Sequence, residues 1–208
     1  MSGPLVHGAV FTARRLLPVV LLVLSGCAGR RIPVPAVAPE RAGQEALAQY
    51  DRNKDGFLDK DELKACPALA GCWKKLDKDG DGRLSAAEIA QRIQSYQTDR
   101  VGLSALAVKV RSNGKPLAGA TVTLVPEKFL GDDVRPASGV TDSAGVANVT
   151  TTGAAVPGVA RGMFRVEVSK KDAAGLERVP ARYNRETTLG VEVGTDQQGV
   201  LRLDLRGS

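Results

Sequence analysis

Apolar and polar positions follow two different rhythms along this chain. Up to Tyr96 the spacing is helical: Ala46 and Tyr50 give one short helix an apolar face, Trp73 and Leu76 give another its own before a second break, and Leu63 and Ile89 open the helices downstream. From Leu106 onward the period becomes two, in the runs Leu106 to Arg111, Ala120 to Val125, Val146 to Thr150, Phe164 to Ser169, Thr187 to Val193 and Val200 to Leu205. Turn signals separate them, among them Asn113-Gly114, Asp142-Ser143-Ala144-Gly145, Asp172-Ala173-Ala174-Gly175 and Asp196-Gln197-Gln198-Gly199. About seven strands in roughly 105 residues predict a Greek-key β-sandwich. The expected fold class is multidomain α plus β, with a helical pair at 42–98 and the sandwich at 99–208.

A third pattern lies upstream. Arg14 and Arg15 precede the apolar run Leu16 to Leu24, which is far shorter than the ~20 residues a membrane-crossing helix needs. A secretory signal over residues 1–26 fits better. Its end, Leu24-Ser25-Gly26-Cys27, resembles the lipobox of bacterial lipoproteins, and the resemblance implies that Cys27 becomes the first mature residue and carries the lipid. The acyl chains would then hold the protein on a membrane. The expected location is the cell envelope, at the outer membrane if the cell has two. Residues 27–41, with Pro33, Pro35 and Pro39, read as an extended Pro-rich tether.

The two breaks in the helical region are the most specific feature. Asp51, Asn53, Asp55, Phe57, Asp59 and Glu62 occupy positions 1, 3, 5, 7, 9 and 12 of a twelve-residue stretch with Gly56 at position 6. Asp77, Asp79, Asp81, Arg83, Ser85 and Glu88, with Gly82, repeat the spacing. A hard divalent cation takes six to eight oxygens, and alternate side chains on a tight loop aim theirs at one point. The pattern resembles the EF-hand family, which implies Ca2+ as the bound ion. It also implies the backbone carbonyls of Phe57 and Arg83 as position-7 ligands and water-mediated roles for Asp59 and Ser85. Leu58 and Leu84 stand at position 8, where paired EF-hands bridge through a two-stranded ladder. Lys54, Lys60, Lys74, Lys75 and Lys78 nearby are expected to weaken binding. Between the loops, Cys66 and Cys72 bracket a segment with Pro67 and Gly71. In an exported protein the two remaining cysteines most simply pair, so a disulfide Cys66–Cys72 stapling a compact bend is expected.

In the second half, Asn113-Gly114-Lys115-Pro116-Leu117-Ala118-Gly119-Ala120-Thr121-Val122, then Thr141-Asp142-Ser143-Ala144-Gly145, then Gly162-Met163-Phe164-Arg165-Val166, resemble the carboxypeptidase regulatory-like and transthyretin-like sandwiches. That resemblance implies a fold and says little of function, because such modules are attached to many proteins. The loop from Glu127 to Ala137 and the stretch Arg178 to Arg185, with Arg182, Tyr183 and Arg185, could present a surface to envelope proteins or acidic glycans.

Composition narrows the chemistry. Aromatic residues are 4% of the chain, too few for a base-stacking surface, so no nucleic-acid partner is expected despite a net charge of +6. The one histidine, His7, lies in the signal segment, so a processed chain would have none and would lack His-based catalysis. The reading is therefore non-enzymatic: a calcium-binding, lipid-anchored envelope protein with a structural or binding β domain for adhesion or scaffolding. The alternative is a calcium-responsive accessory or regulatory subunit of an envelope complex.

Overall fold

The computed structural model describes residues 1, 3, 32–98, 100–196 and 199–207. His7, the apolar run, the lipobox and Cys27 lie outside the described residues. Among those described, no helix is long and apolar enough to cross a membrane. Residues Arg31–Ser208 form one compact unit.

The helical half comprises α1 (Pro39–Tyr50), β1 (Phe57–Leu58), α2 (Lys60–Leu63), α3 (Pro67–Leu76), β2 (Leu84–Ser85) and α4 (Ala86–Ser95). Two start signals recur. Pro39 and Pro67 open α1 and α3, where a missing N–H costs nothing. Asp59 and Ser85 cap α2 and α4 in capping boxes with Glu62 and Glu88. β1 pairs with β2 in antiparallel register, Phe57 opposite Ser85 and Leu58 opposite Leu84, which is the ladder expected at position 8. α1 packs on α4 so closely that a Cβ at Gly43 would overlap the backbone carbonyl of Ala86.

The β half contains β3 (Ala107–Ser112), β4 (Lys115–Pro116), β5 (Thr121–Pro126), β6 (Ala137–Val140), β7 (Val146–Asn148), β8 (Thr150–Thr151), β9 (Gly162–Ser169), β10 (Gly190–Val193) and β11 (Val200–Leu205). One sheet runs β10-β9-β5-β6-β8; in the other, β3 pairs with β11, β4 and β7. The first and last of these long strands, β3 and β11, are parallel, with Ala107 to Ser112 beside Val200 to Leu205. Among the described residues nine short strands thus stand where seven were expected. The run Val146 to Thr150 is not one strand: β7 joins β3, while β8 crosses to β6 in the other sheet. Ala137, the expected end of the loop from Glu127, is the first residue of β6. The motifs hold each other in place, since the Thr141 hydroxyl accepts from Ala120 N at 2.8 Å and donates to Leu117 O at 2.6 Å. The Asp142 side chain accepts from Ala144 N and Val146 N at 2.8 and 2.9 Å, closing the β6–β7 turn.

The change of secondary structure near residue 98 is not a break in packing. Ala46, Leu69, Leu76 and Ile93 from the helices belong to the same buried cluster as Val108, Val122, Phe164 and Val193 from the sheets. α3 lies on β10 and β9, and α1 lies on a 3-10 turn at Lys128–Leu130. The tether is also partly absorbed: residues 32–38 form no regular secondary structure, residues 39–41 already belong to α1, and Val34, Pro35 and Val37 line a small cleft with Ile93, Tyr96 and Leu130. Gln97 Nε2 fastens Val37 O at 2.6 Å. Valines spaced among prolines present an apolar edge, and the groove beside α4 covers it.

Candidate metal centre

Both loops are organised by the same hydrogen bonds. Asp51 accepts from Lys54 N and Gly56 N at 2.6 and 2.9 Å; Asp77 accepts from Gly80 N and Gly82 N at 2.7 and 3.0 Å. At position 3, Asn53 and Asp79 accept from Asp55 N and Asp81 N at 2.9 and 3.1 Å. At position 5, Asp55 and Asp81 accept from Phe57 N and Arg83 N at 2.9 and 2.8 Å. Each side chain is thereby fixed to the backbone two to five residues on, which turns alternate oxygens inward. Position 6 needs a left-handed backbone, and Gly56 and Gly82 supply it at φ of 86° and 83°.

The closing glutamates do two jobs. Glu62 accepts from Arg52 N at 2.7 Å and from Asp59 N at 3.1 Å; Glu88 accepts from Lys78 N at 2.8 Å and Ser85 N at 2.9 Å. Each carboxylate therefore ties position 2 of its loop to position 9. Burial opposes ionisation of Glu88, but the N–H groups of Ser85 and Lys78 and the Ser85 hydroxyl outweigh it and hold its carboxyl below the usual range. Asp59 and Ser85 act as helix caps, Asp59 Oδ1 accepting from Asp61 N and Glu62 N at 2.8 and 2.9 Å.

The donor set fits calcium. Carboxylate oxygens of Asp77, Asp79 and Asp81 all lie within 4.8 Å of one another. Oxygens on opposite sides of one calcium ion, bound at about 2.3–2.6 Å, stand about 4.6–5.2 Å apart. In the first loop Asp51, Asn53, Asp55, the carbonyl of Phe57 and Glu62 would hold the ion, with Asp59 through water. In the second the corresponding groups are Asp77, Asp79, Asp81, the carbonyl of Arg83 and Glu88, with Ser85 through water.

The expected disulfide is absent. Cys66 and Cys72 are both free and buried. The segment expected to be a bend is the helix α3, with Cys66 as its N-cap. Six residues along a helix advance about 9 Å, beyond the ~7 Å over which two cysteines can bridge. The Cys72 thiol instead donates to Ala68 O at 3.1 Å, and burial pushes it up to about 12. Burial also raises Cys66, next to Glu127 and Tyr50.

Three groups that sequence spacing does not reveal surround the loops. The Arg83 side chain, not the neighbouring lysines, reaches the ligand carboxylates, at 3.8 Å from Asp55 and 3.4 Å from Asp81. Lys60 lies over the Trp73 ring at 4.8 Å, and Lys75 turns away to Asp196 at 2.7 Å. Glu127 and Glu192, on the β half, are the other two. Tyr50, last residue before the first loop, donates to the buried Glu127 at 3.1 Å. Glu192 takes Arg92 Nε and, at 2.7 Å, the Tyr96 hydroxyl, both from the helix leaving the second loop. Burial raises the Glu127 carboxyl, and Arg165, the Tyr50 hydroxyl and the Cys66 thiol only partly offset it. The one sequence signal for Glu127 is the apolar pair Phe129-Leu130 beside it; both residues are buried against α1.

That packing buries Glu127, Phe129, Leu130, Val134 and Ala137 of the loop, while Lys128, Asp132, Asp133 and Arg135 stay exposed. Arg182 and Tyr183 are engaged too: Arg182 Nη2 donates to Gly207 O at 2.7 Å, and Tyr183 OH accepts from Arg206 N at 3.1 Å.

Comparison with known proteins agrees with the loops. A family profile described as EF hand matches residues 44–67 and 74–93. A comparison with curated proteins finds no match. Among solved structures, the major pilin subunit of Bacillus cereus is similar at 12% identity and a TM-score of 0.32, over 50% of this chain and 29% of that one.

Proposed function

We propose that this chain is a calcium-binding protein of the cell envelope, anchored by lipid on Cys27, in which the EF-hand pair is a structural element fused to a non-enzymatic β-sandwich of carboxypeptidase regulatory-like type. The observation that carries the calcium reading is the convergence of Asp77, Asp79 and Asp81 within 4.8 Å, in a loop whose hydrogen bonds are repeated in its partner. Calcium supplies charge neutralisation for the crowded carboxylates and a crosslink from loop to exiting helix. The lipid anchor rests on Leu24-Ser25-Gly26-Cys27, and the non-enzymatic role on two thiols raised by burial and a histidine confined to position 7. The faces of α1 and α3 that a calcium sensor would open to a target are covered by Phe129, Leu130 and β10, which favours a static role over a regulatory one.

Calorimetric titration of the protein with calcium, and melts in calcium and in chelator, test the reading. A site held tenfold above its dissociation constant adds about 1.4 kcal/mol of stability. The expected result is two binding equivalents and a higher Tm in calcium. No binding heat together with superimposable melts would refute it. Loss of labelled-palmitate incorporation in Cys27→Ser checks the anchor.

A further inference from the structure

The cationic side chain nearest the candidate ligands belongs to a residue that the EF-hand pattern uses only for its carbonyl. Arg83 stands at position 7 of the second loop, one residue before the ladder pair Leu58–Leu84. Its guanidinium crosses the ladder, lies 4.1 Å over the Phe57 ring, and sits 3.8 Å from Asp55 Oδ2 and 3.4 Å from Asp81 Oδ2. Asp55 and Asp81 are the position-5 residues of the two loops. In each, Oδ1 accepts a backbone N–H, from Phe57 and from Arg83 itself, and Oδ2 is the oxygen nearest the guanidinium; in Asp55 it also accepts from Asn53 Nδ2 at 3.2 Å.

The geometry points to Arg83 as a built-in competitor for calcium at both loops: a fixed positive charge, seated on Phe57, that lies beside Oδ2 of each position-5 carboxylate and lowers the affinity of both sites together. This inference rests on the calcium reading above. Its physical basis is direct. A divalent ion entering either loop meets a guanidinium on the far side of the same carboxylate, and must share that oxygen or displace the arginine. A single charge and a double charge about 6 Å apart in a solvent-exposed setting shift binding on the order of tenfold. The position-7 ligand is a backbone carbonyl, so replacing the side chain leaves the ligand set of both loops intact. Weak binding of this kind suits a calcium-rich exterior, where affinities of about 10⁻⁴ to 10⁻³ M are sufficient.

The test is calorimetric titration of the whole protein with calcium, comparing wild type, Arg83→Gln and Arg83→Lys at low and high potassium chloride. Arg83→Gln should tighten both sites on the order of tenfold, with the gain shrinking at high salt because exposed charges are screened. Arg83→Lys keeps the charge and should stay nearer to wild type. Melts without calcium confirm that each variant folds; if Arg83→Gln does not, Arg83→Met, which keeps a stem to cover Phe57, is titrated in its place. Wild-type binding with unchanged affinities in the neutral variant overturns the inference and leaves the calcium reading standing. A gain at the second loop alone also overturns it, because the charge would then not span the ladder. Absence of binding in wild type overturns the calcium reading and this inference with it.

Discussion

Gly190 offers the sharpest test of how the helical and β halves are joined. A Cβ built there would overlap the carbonyl carbon and oxygen of Pro67 and the nitrogen of Ala68, all backbone atoms in the first turn of α3. Neither side can yield by a rotamer change, because a strand backbone faces a helix backbone. Overpacking a core against side chains costs about 1–3 kcal/mol, and backbone-to-backbone overlap belongs at or above the top of that range. Gly190→Ala should therefore destabilise the fold by about 3 kcal/mol or more, lowering Tm by roughly 6–12 °C for a unit of this size. Gly71 supplies the control in the same interface. It lies inside α3, and its added Cβ would meet only the Gly190 carbonyl, O at 3.5 Å and C at 3.9 Å, an ordinary contact. Alanine is the better helix former there by about 1 kcal/mol, so Gly71→Ala should raise Tm by roughly 2–4 °C. Differential scanning calorimetry of both variants decides the matter. Equal, small shifts of either sign would show that α3 does not sit on β10, and the shared core would have to be abandoned.

Other outcomes follow from single residues. Lys54 holds position 4 of the first loop at a left-handed φ of 61°, where the second loop has Gly80 at 77°; Lys54→Gly should stabilise by about 0.5–1 kcal/mol, and a lower urea midpoint would contradict the strain. Hydrogen bonding from Lys75, then from Arg92, holds the Asp196 carboxyl down at about 2. Because this folded-state value is depressed, its stabilisation is present above about pH 4 and lost as pH falls through about 2, so Asp196→Asn should flatten the acid limb of the stability curve in that window. An unchanged limb would show that the Lys75 and Arg92 contacts are not kept in solution. Cys66 and Cys72 should resist a thiol reagent in the folded protein and both react in denaturant without reductant; a peptide pair joined by a disulfide would restore the original staple.

Much of the candidate centre was legible in the sequence because a calcium loop is local. Asp51 to Glu62 and Asp77 to Glu88 set their oxygens through hydrogen bonds spanning two to ten residues, so spacing alone carries the geometry. The turn at Asp142 and the alternation in β3 and β9 are local in the same sense. Misreadings arose where a contact joins distant segments. The short segment from Cys66 to Cys72 looked like a bend with a disulfide; its apolar face is instead drawn out as a helix by β9 and β10, more than ninety residues away. Asn148 ends β7 and Thr150 begins β8, with Val149 between them, because β3 pairs with the first part of the run and β6 with the second.

What the sequence by itself determined is therefore the chemistry of the loops and the succession of helical and strand segments, since both depend on neighbours in the chain. Only the tertiary structure decided that the two halves share one core, that buried Glu127 and Glu192 grip the helices flanking the loops, and that Arg83 bridges them. A lone acidic or basic residue carries no mark of its partner when that partner lies tens of residues away. Burial, which removes water as the competing partner, is what gives such a residue its role.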